Sequence, residues 1–234
     1  METYITGDTH GEFNNVANFC YRMKLGTDDK MIILGDAGIN YYGPGNSHDD
    51  NIKCLLRDFG VTFFCIHGNH EMRPQTIPTY QTKIWNNGLV YYEPKYPNLL
   101  FAVDGQIYNI DGQKTFVCGG AYSVDKQYRI LRGWNWWEDE QPSISTMHQC
   151  ELSLSLENWD VDTVLTHTCP LKYEPTEVFI PGIDQSTVDK STEAWLDKIE
   201  DRLKYKRWYC GHYHTEKTVD KLTFMYHSIK KWNE

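Results

Sequence analysis

Residues 60–74 read GVTFFCIHGNHEMRP: an apolar run from Val61 to Ile66 that stops at Gly68 and then presents Asn69, His70, Glu71 and Arg73. A buried strand must satisfy its hydrogen bonds, so polar groups gathered at its end serve either a turn or a ligand. Which of the two applies depends on whether other strands end in the same way.

Four others do. TYITGDTHG (3–11), KMIILGDAG (30–38), DTVLTHTCP (162–170) and RWYCGHYH (207–214) each have strand length, β-branched or aromatic residues, and a terminus of Gly or of a polar cluster. Between the first three strands the spacing is helical. Phe13, Val16, Cys20 and Met23 fall on one face, as do Ile52, Leu55, Leu56 and Phe59. STEAWLDKIEDRL (191–203) predicts a further helix with a Ser/Thr cap and an apolar stripe of Trp195, Leu196, Ile199 and Leu203. KYKR (204–207) then reads as the basic end of that helix. Residues 88–124 predict three or four strands with Asp104-Gly105 and Asp111-Gly112 turns, and EKTVDKLTFMYHS (216–228) a last strand pair. Together these predict a layered α/β fold with a mixed sheet or two stacked sheets, its ligand site beyond the carboxyl ends of the strands.

Composition narrows the function classes. The 234 residues are 40% hydrophobic and 14% aromatic, ample for a core, and no stretch reads as an interdomain linker, so one domain over 1–234 is expected. A net charge of −9 argues against broad affinity for nucleic acid phosphates. Seven scattered Cys without a CxxC pair fit reduced core thiols, and the sequence carries neither a signal-peptide pattern nor an apolar run of membrane-spanning length. A cytoplasmic protein with no membrane partner is expected.

The five strand ends contribute Asp8, His10, Asp36, Asn69, His70, His167, His212 and His214, a set of oxygen and imidazole donors without thiolate. Such ligands suit Mn, Fe, Zn or Ni. Asp8/His10 and His212/His214 are spaced i, i+2, which in extended backbone turns both side chains of a pair to one side. Leaving His70 aside, seven donors with one bridging carboxylate give two metals four bonds each and leave positions for water and substrate. Two metals so held acidify a shared water to hydroxide and clamp a phosphoryl group, which makes the expected protein a hydrolase.

The ordered set GDTHG, GD, GNHE, THTCP and GHYH resembles the calcineurin-like metallophosphoesterase superfamily from Asp8 to His214, nearly the whole chain. The resemblance implies an α/β/β/α sandwich of mixed sheets. It also implies that Asp8, His10 and His214 hold one metal, Asn69, His167 and His212 the second, and that Asp36 bridges them, with Mn favoured. His70 is then the catalytic imidazole facing the substrate. Where Ser/Thr phosphatases of the superfamily continue GDxVDRG, this chain reads GDAGIN, with Ile39 and Asn40 in place of the Asp and Arg. Glu71 is the nearest residue to orient His70, and Arg73 the nearest to grip phosphate.

The segment AYSVDKQYRILRGWNWWEDEQPS (121–143) precedes a helix expected to start near Pro142, and its pattern resembles a subgroup of small bacterial or phage-type members. An aromatic cap or flap around 122–142 is expected, with Trp134 and Trp136 against the substrate and Asp125 and Lys126 nearby. Arg129 and Arg132 read equally well as surface residues, His67 as a core or supporting residue, and His48, His148 and His227 as unremarkable. The function expected is hydrolysis of a phosphate ester by a metal-bridging hydroxide, with phosphomonoesters favoured and nucleotide diesters, or a metal-binding docking scaffold, as alternatives. The substrate is a phosphorylated small molecule, nucleotide or phosphoprotein.

Overall fold

The computed structural model describes residues 1–232. Strands β1 (Thr3–Thr6), β2 (Lys30–Ile33) and β3 (Thr62–Cys65) lie side by side and parallel. Their side chains are buried on both faces, which explains apolar runs in place of alternation. Helices α1 (Asn14–Met23) and α2 (Ser47–Phe59) cover one face, packing Val16, Cys20, Ile52 and Leu56 on Met31, Ile33, Phe63 and Cys65. Met23 and Leu55, expected on these faces, are about half exposed at the margins.

The opposite face packs on a second sheet. Ile5, Ile32, Phe64 and Ile66 meet Val117, Leu165, Tyr209 and Met225 in a shared core. The second sheet contains β7 (Ile107–Ile110), β8 (Gln113–Cys118), β9 (Thr163–Thr166) and β10 (Arg207–Cys210), followed by β11 (Lys217–Val219) and β12 (Leu222–Phe224). Its outer face carries Phe116, Val164 and Trp208 against Cys150 and Leu154 of α4 (Ile144–Leu156) and Trp195, Leu196 and Ile199 of α5 (Ser191–Glu200). Four layers result, helix, sheet, sheet and helix, and both sheets mix parallel and antiparallel pairs, as expected.

The first sheet is completed by β4 (Gln81–Trp85), β5 (Gly88–Glu93) and β6 (Tyr96–Ala102) on one side and β13 (Lys230–Lys231) on the other. Two of these, β4 and β13, go beyond the sequence reading. Asn86 and Asn87 both adopt positive φ in the β4–β5 turn, so this hairpin closes without the Gly that usually signals it. Asp111-Gly112 closes the β7–β8 hairpin as expected, whereas Asp104-Gly105 joins β6 of one sheet to β7 of the other and closes no hairpin. Helix α5 begins without a Ser/Thr side-chain cap, and Leu203 lies beyond its end. KYKR is not a helix terminus: Lys204 bridges to Asp160, and Arg207 opens β10. Helix α4 is capped by Ser143, close to where a helix was expected, and a short α3 (Lys126–Arg132) was not foreseen. All seven cysteines are unpaired and six are buried. Among the described residues no helix is long and apolar enough to cross a membrane.

Candidate metal centre

Strands β1, β2 and β3 in one sheet and β9 and β10 in the other run parallel to their neighbours and deliver the five polar clusters to one edge of the sandwich. The donor residues sit in turns just past the strands. His10, Asp36, His212 and His214 have φ of 48°, 45°, 65° and 49°, so the side chains converge through left-handed backbone and not through extended i, i+2 geometry. Such conformations are uncommon for non-glycine residues, and their concentration here marks a site where the surrounding fold holds them. Two glycines make the convergence possible. A Cβ on Gly68 would lie 2.0 Å from Asp36 Oδ1, and one on Gly211 would lie 2.1 Å from Asp8 Oδ1.

The donors fall into two groups around Asp36. In the first, Asp8 Oδ2 lies 3.3 Å from His214 Nε2 and 3.8 Å from His10 Nε2, and the two imidazole nitrogens are 2.9 Å apart. In the second, His167 Nε2 is 2.9 Å from Asn69 Oδ1, and the His212 ring centroid is 5.1 Å from that of His167. Asp36 faces both, with Oδ2 3.9 Å from His10 Nδ1 and Oδ1 3.5 Å from His167 Nε2. Asp8 is tied to the far cluster as well, since the His212 N–H donates to its Oδ1 at 2.9 Å.

These residues fit a pair of divalent cations. Asp8 and Asp36 are each 1% exposed, and among the described residues no Lys or Arg stands within 4.0 Å of either carboxylate. Buried carboxylates require a compensating charge. His167 Nδ1 donates to the Leu34 carbonyl at 2.7 Å, so its Nε2 meets two oxygens, of Asn69 and Asp36, with only a proton or a cation able to reconcile them. The titration directions agree. Burial pulls the His167 imidazole down, but the Asp36 charge overrides it and carries it to about 9. Burial raises Asp36, yet His167, His70 and His10 hold it well below the carboxylate range. His212 is lowered to about 3 by burial and then by the His167 charge, and burial keeps His70 lowered too.

A family model for calcineurin-like phosphoesterases matches residues 1–216. The chain belongs to that family. Its fold is similar to the crystal structure of TT1561 of Thermus thermophilus, with a TM-score of 0.52 at 10% identity over 100% of this chain and 99% of that one. A second solved structure matches with a TM-score of 0.51 at 12% identity, over 96% of this chain and 89% of the other. These likenesses concern the fold alone. No curated protein matches the sequence.

Within this calcineurin-like site, His70 stands at the mouth. Its backbone N–H donates to Asp36 Oδ1 at 2.7 Å, and its ring meets that of His10 edge-on at 5.3 Å. Glu71 does not orient it. The Glu71 carboxylate accepts the backbone N–H of Gly38 and Gly68, both at 3.2 Å, and so staples the GDAG turn to the GNHE turn, while burial and the Asp36 charge push it up to about 8. Arg73 is turned away from the centre and does not serve as a phosphate grip. Its Nη1 donates to Asp104 at 2.6 Å and its Nε to the Asp139 carbonyl at 2.5 Å, with the guanidinium buried. Asn40 is likewise occupied, by the Tyr80 hydroxyl at 2.9 Å.

The two tryptophans separate. Trp134 is 55% exposed and shares a cavity of about 580 Å³ with His10 and His70. Trp136 is not part of that wall. Its indole N–H donates to Glu140 at 2.8 Å and Lys126 lies 4.0 Å over its ring, which makes it an anchor of the segment. Arg129 is 1% exposed among Tyr41 and Trp137, against a surface reading, whereas Arg132 is exposed. Tyr41, Tyr42 and His48 also line the cavity with Trp134 and were missed. The aromatic pair directly after GDAGIN was the available signal. A second cavity of about 310 Å³, on which Asp36, Asn69, His70 and His212 open, has apolar walls from Phe179, Ile180, Ile183 and Val188. His70 borders both cavities.

Proposed function

We propose that the protein hydrolyses phosphate esters by direct attack of water at phosphorus, with two divalent ions held by Asp8, His10 and His214 on one side and Asn69, His167 and His212 on the other, and with Asp36 between them. The observation that carries this reading is the convergence of both donor groups on Asp36 at 3.5–3.9 Å within a site where, among the described residues, imidazoles but no Lys or Arg stand within 4.0 Å of the buried carboxylates. Ions bound there, Mn first among Mn, Fe, Zn and Ni, would supply an acidified water and neutralise phosphoryl charge. The chain's own residues do the rest. His70, whose imidazole burial lowers and whose backbone N–H is held by Asp36, offers a ring nitrogen at the mouth to donate to a phosphoryl or leaving oxygen. The left-handed turns keep the donors fixed before substrate arrives, so little reorganisation is left for the reaction.

The sequence favours a phosphomonoester, which needs one cavity beside the phosphorus. The two cavities bordered by His70 favour a second reading, a diester with a flat polar arm beside Trp134 and an apolar arm beside Phe179 and Ile180. The substrate is in either case a phosphorylated small molecule, nucleotide or phosphoprotein. Seven unpaired cysteines fit a reducing compartment, and a cytoplasmic location belongs to this proposal. A full set of seven donor residues weighs against a docking scaffold without turnover.

The test is hydrolysis of para-nitrophenyl phosphate beside bis-para-nitrophenyl phosphate, with protein stripped of metal and reloaded with Mn. Turnover is expected, reduced roughly 10²- to 10⁴-fold by His70→Ala. Preference for the monoester supports the first reading and preference for the bis-ester the second. No turnover of either ester with Mn, Ni, Zn or Fe would return the scaffold.

A further inference from the structure

A buried chain of hydrogen bonds joins the 122–142 segment to the metal centre at a single ligand. Asn69 Nδ2 donates to Ser123 Oγ at 2.9 Å, and that hydroxyl donates to Glu140 Oε2 at 2.5 Å. The Ser123 backbone N–H reaches Glu140 Oε1 at 3.1 Å, Trp136 Nε1 donates to Oε2 at 2.8 Å, and Arg129 Nη1 approaches Ser123 Oγ at 3.4 Å. Ser123 and Arg129 are 1% exposed and Glu140 is 3% exposed.

Donor counting gives this chain a direction. A carboxylate only accepts, so the single hydroxyl proton of Ser123 goes to Glu140 and its lone pairs face Asn69 and Arg129. An acceptor at Ser123 Oγ demands the amide nitrogen of Asn69, which leaves Asn69 Oδ1 on the side of His167, 2.9 Å from its Nε2. The amide in the opposite sense would turn an NH₂ group toward the ion. Among the described residues Asn69 is the one member of the donor cluster hydrogen-bonded to this chain.

We propose that Ser123 and Glu140 are positioning residues that hold the Asn69 amide with its oxygen toward the second ion, so that the packed 122–142 segment sets the affinity of that ion and leaves the Asp8–His10–His214 ion alone. This rests on the reading of Asn69 as a ligand. Outer hydrogen-bond partners of this kind are worth roughly 10- to 100-fold in metal affinity.

Titration of the metal-free full-length protein with Mn(II), followed by calorimetry and by electron paramagnetic resonance, tests it. Wild type is expected to bind two ions with a spin-coupled signal. Ser123→Ala is expected to keep the first ion at unchanged affinity and to bind the second about 10- to 100-fold more weakly, delaying the coupled signal, and Ser123→Thr, which retains the hydroxyl, is expected to stay near wild type. Glu140→Gln, which preserves shape, is expected to shift the second ion in the same direction by less and serves if Ser123→Ala fails to fold. Equal weakening of both ions, or of neither, overturns the positioning role. A wild type that binds one ion instead overturns the dinuclear reading and this proposal with it.

Discussion

The five strand ends and the 122–142 segment touch at Asn69, but they are held by different means. At the strand ends the main chain does the positioning: parallel register, left-handed turns at His10, Asp36, His212 and His214, and glycines that let Asp8 and Asp36 approach the backbone closely. The segment has one short helix, and besides a main-chain hydrogen bond from the Ala121 N–H to the Glu140 carbonyl its place is fixed by side-chain contacts. Arg73 holds the Asp139 carbonyl, Asn135 Nδ2 donates to the Tyr41 carbonyl at 2.8 Å, and Ser123 and Glu140 hold Asn69. A scaffold of strands fixes chemistry that must not move, while a side-chain-tethered covering leaves the substrate surface free to vary around it.

The largest test of this contrast falls on the covering. Arg73→Ala removes the contacts to Asp104 and Asp139 and leaves Asp104, whose side chain is 9% exposed, without its cation. A loss of about 3–5 kcal/mol in chemical denaturation is expected. A loss below about 1 kcal/mol would mean that the arginine is free for another task.

A smaller effect tests the strand side. Glu193 of α5 accepts the Thr168 hydroxyl at 2.6 Å beside His167, its other oxygen is buried without a partner among the described residues, and burial raises it from 4.5 to about 7. A raised carboxyl binds its proton more tightly in the folded chain. Its cost is therefore absent below about pH 4.5, grows as pH rises toward 7 and stays in full above it. Up to about 3 kcal/mol of stability should be lost by wild type between pH 5 and 8 beyond what Glu193→Gln loses, read as urea midpoints of the metal-free protein. Parallel pH dependence in the two proteins would show that the carboxyl titrates normally.

The same contrast explains what the sequence could tell. Each cluster is local, an apolar run and then the donors within a few residues, with a glycine between them in four of the five, so the β-α-β opening and the two-sheet layering were readable, and so were eight polar residues that the fold brings to one edge. The mechanism of convergence was not, because nothing in an i, i+2 spacing announces that His10 and His214 turn through positive φ. The partners of Arg73 and Asn69 were illegible for another reason. Arg73 meets Asp104 across 31 positions and Asn69 meets Ser123 across 54, and no periodicity encodes such pairings. Proximity in sequence suggested that Glu71 served His70 and that Arg73 served phosphate; burial gave both residues to the backbone and to Asp104 instead.

The central claim is that Asp36 unites two metal-binding groups into one hydrolytic centre. Asp36→Asn keeps size and the acceptor for the His70 backbone N–H while removing the charge that faces His10 and His167. Ester turnover by the Mn-loaded variant, with circular dichroism confirming the fold, is predicted to fall on the order of 10³-fold or more. Turnover within about tenfold of wild type in a folded variant would contradict it.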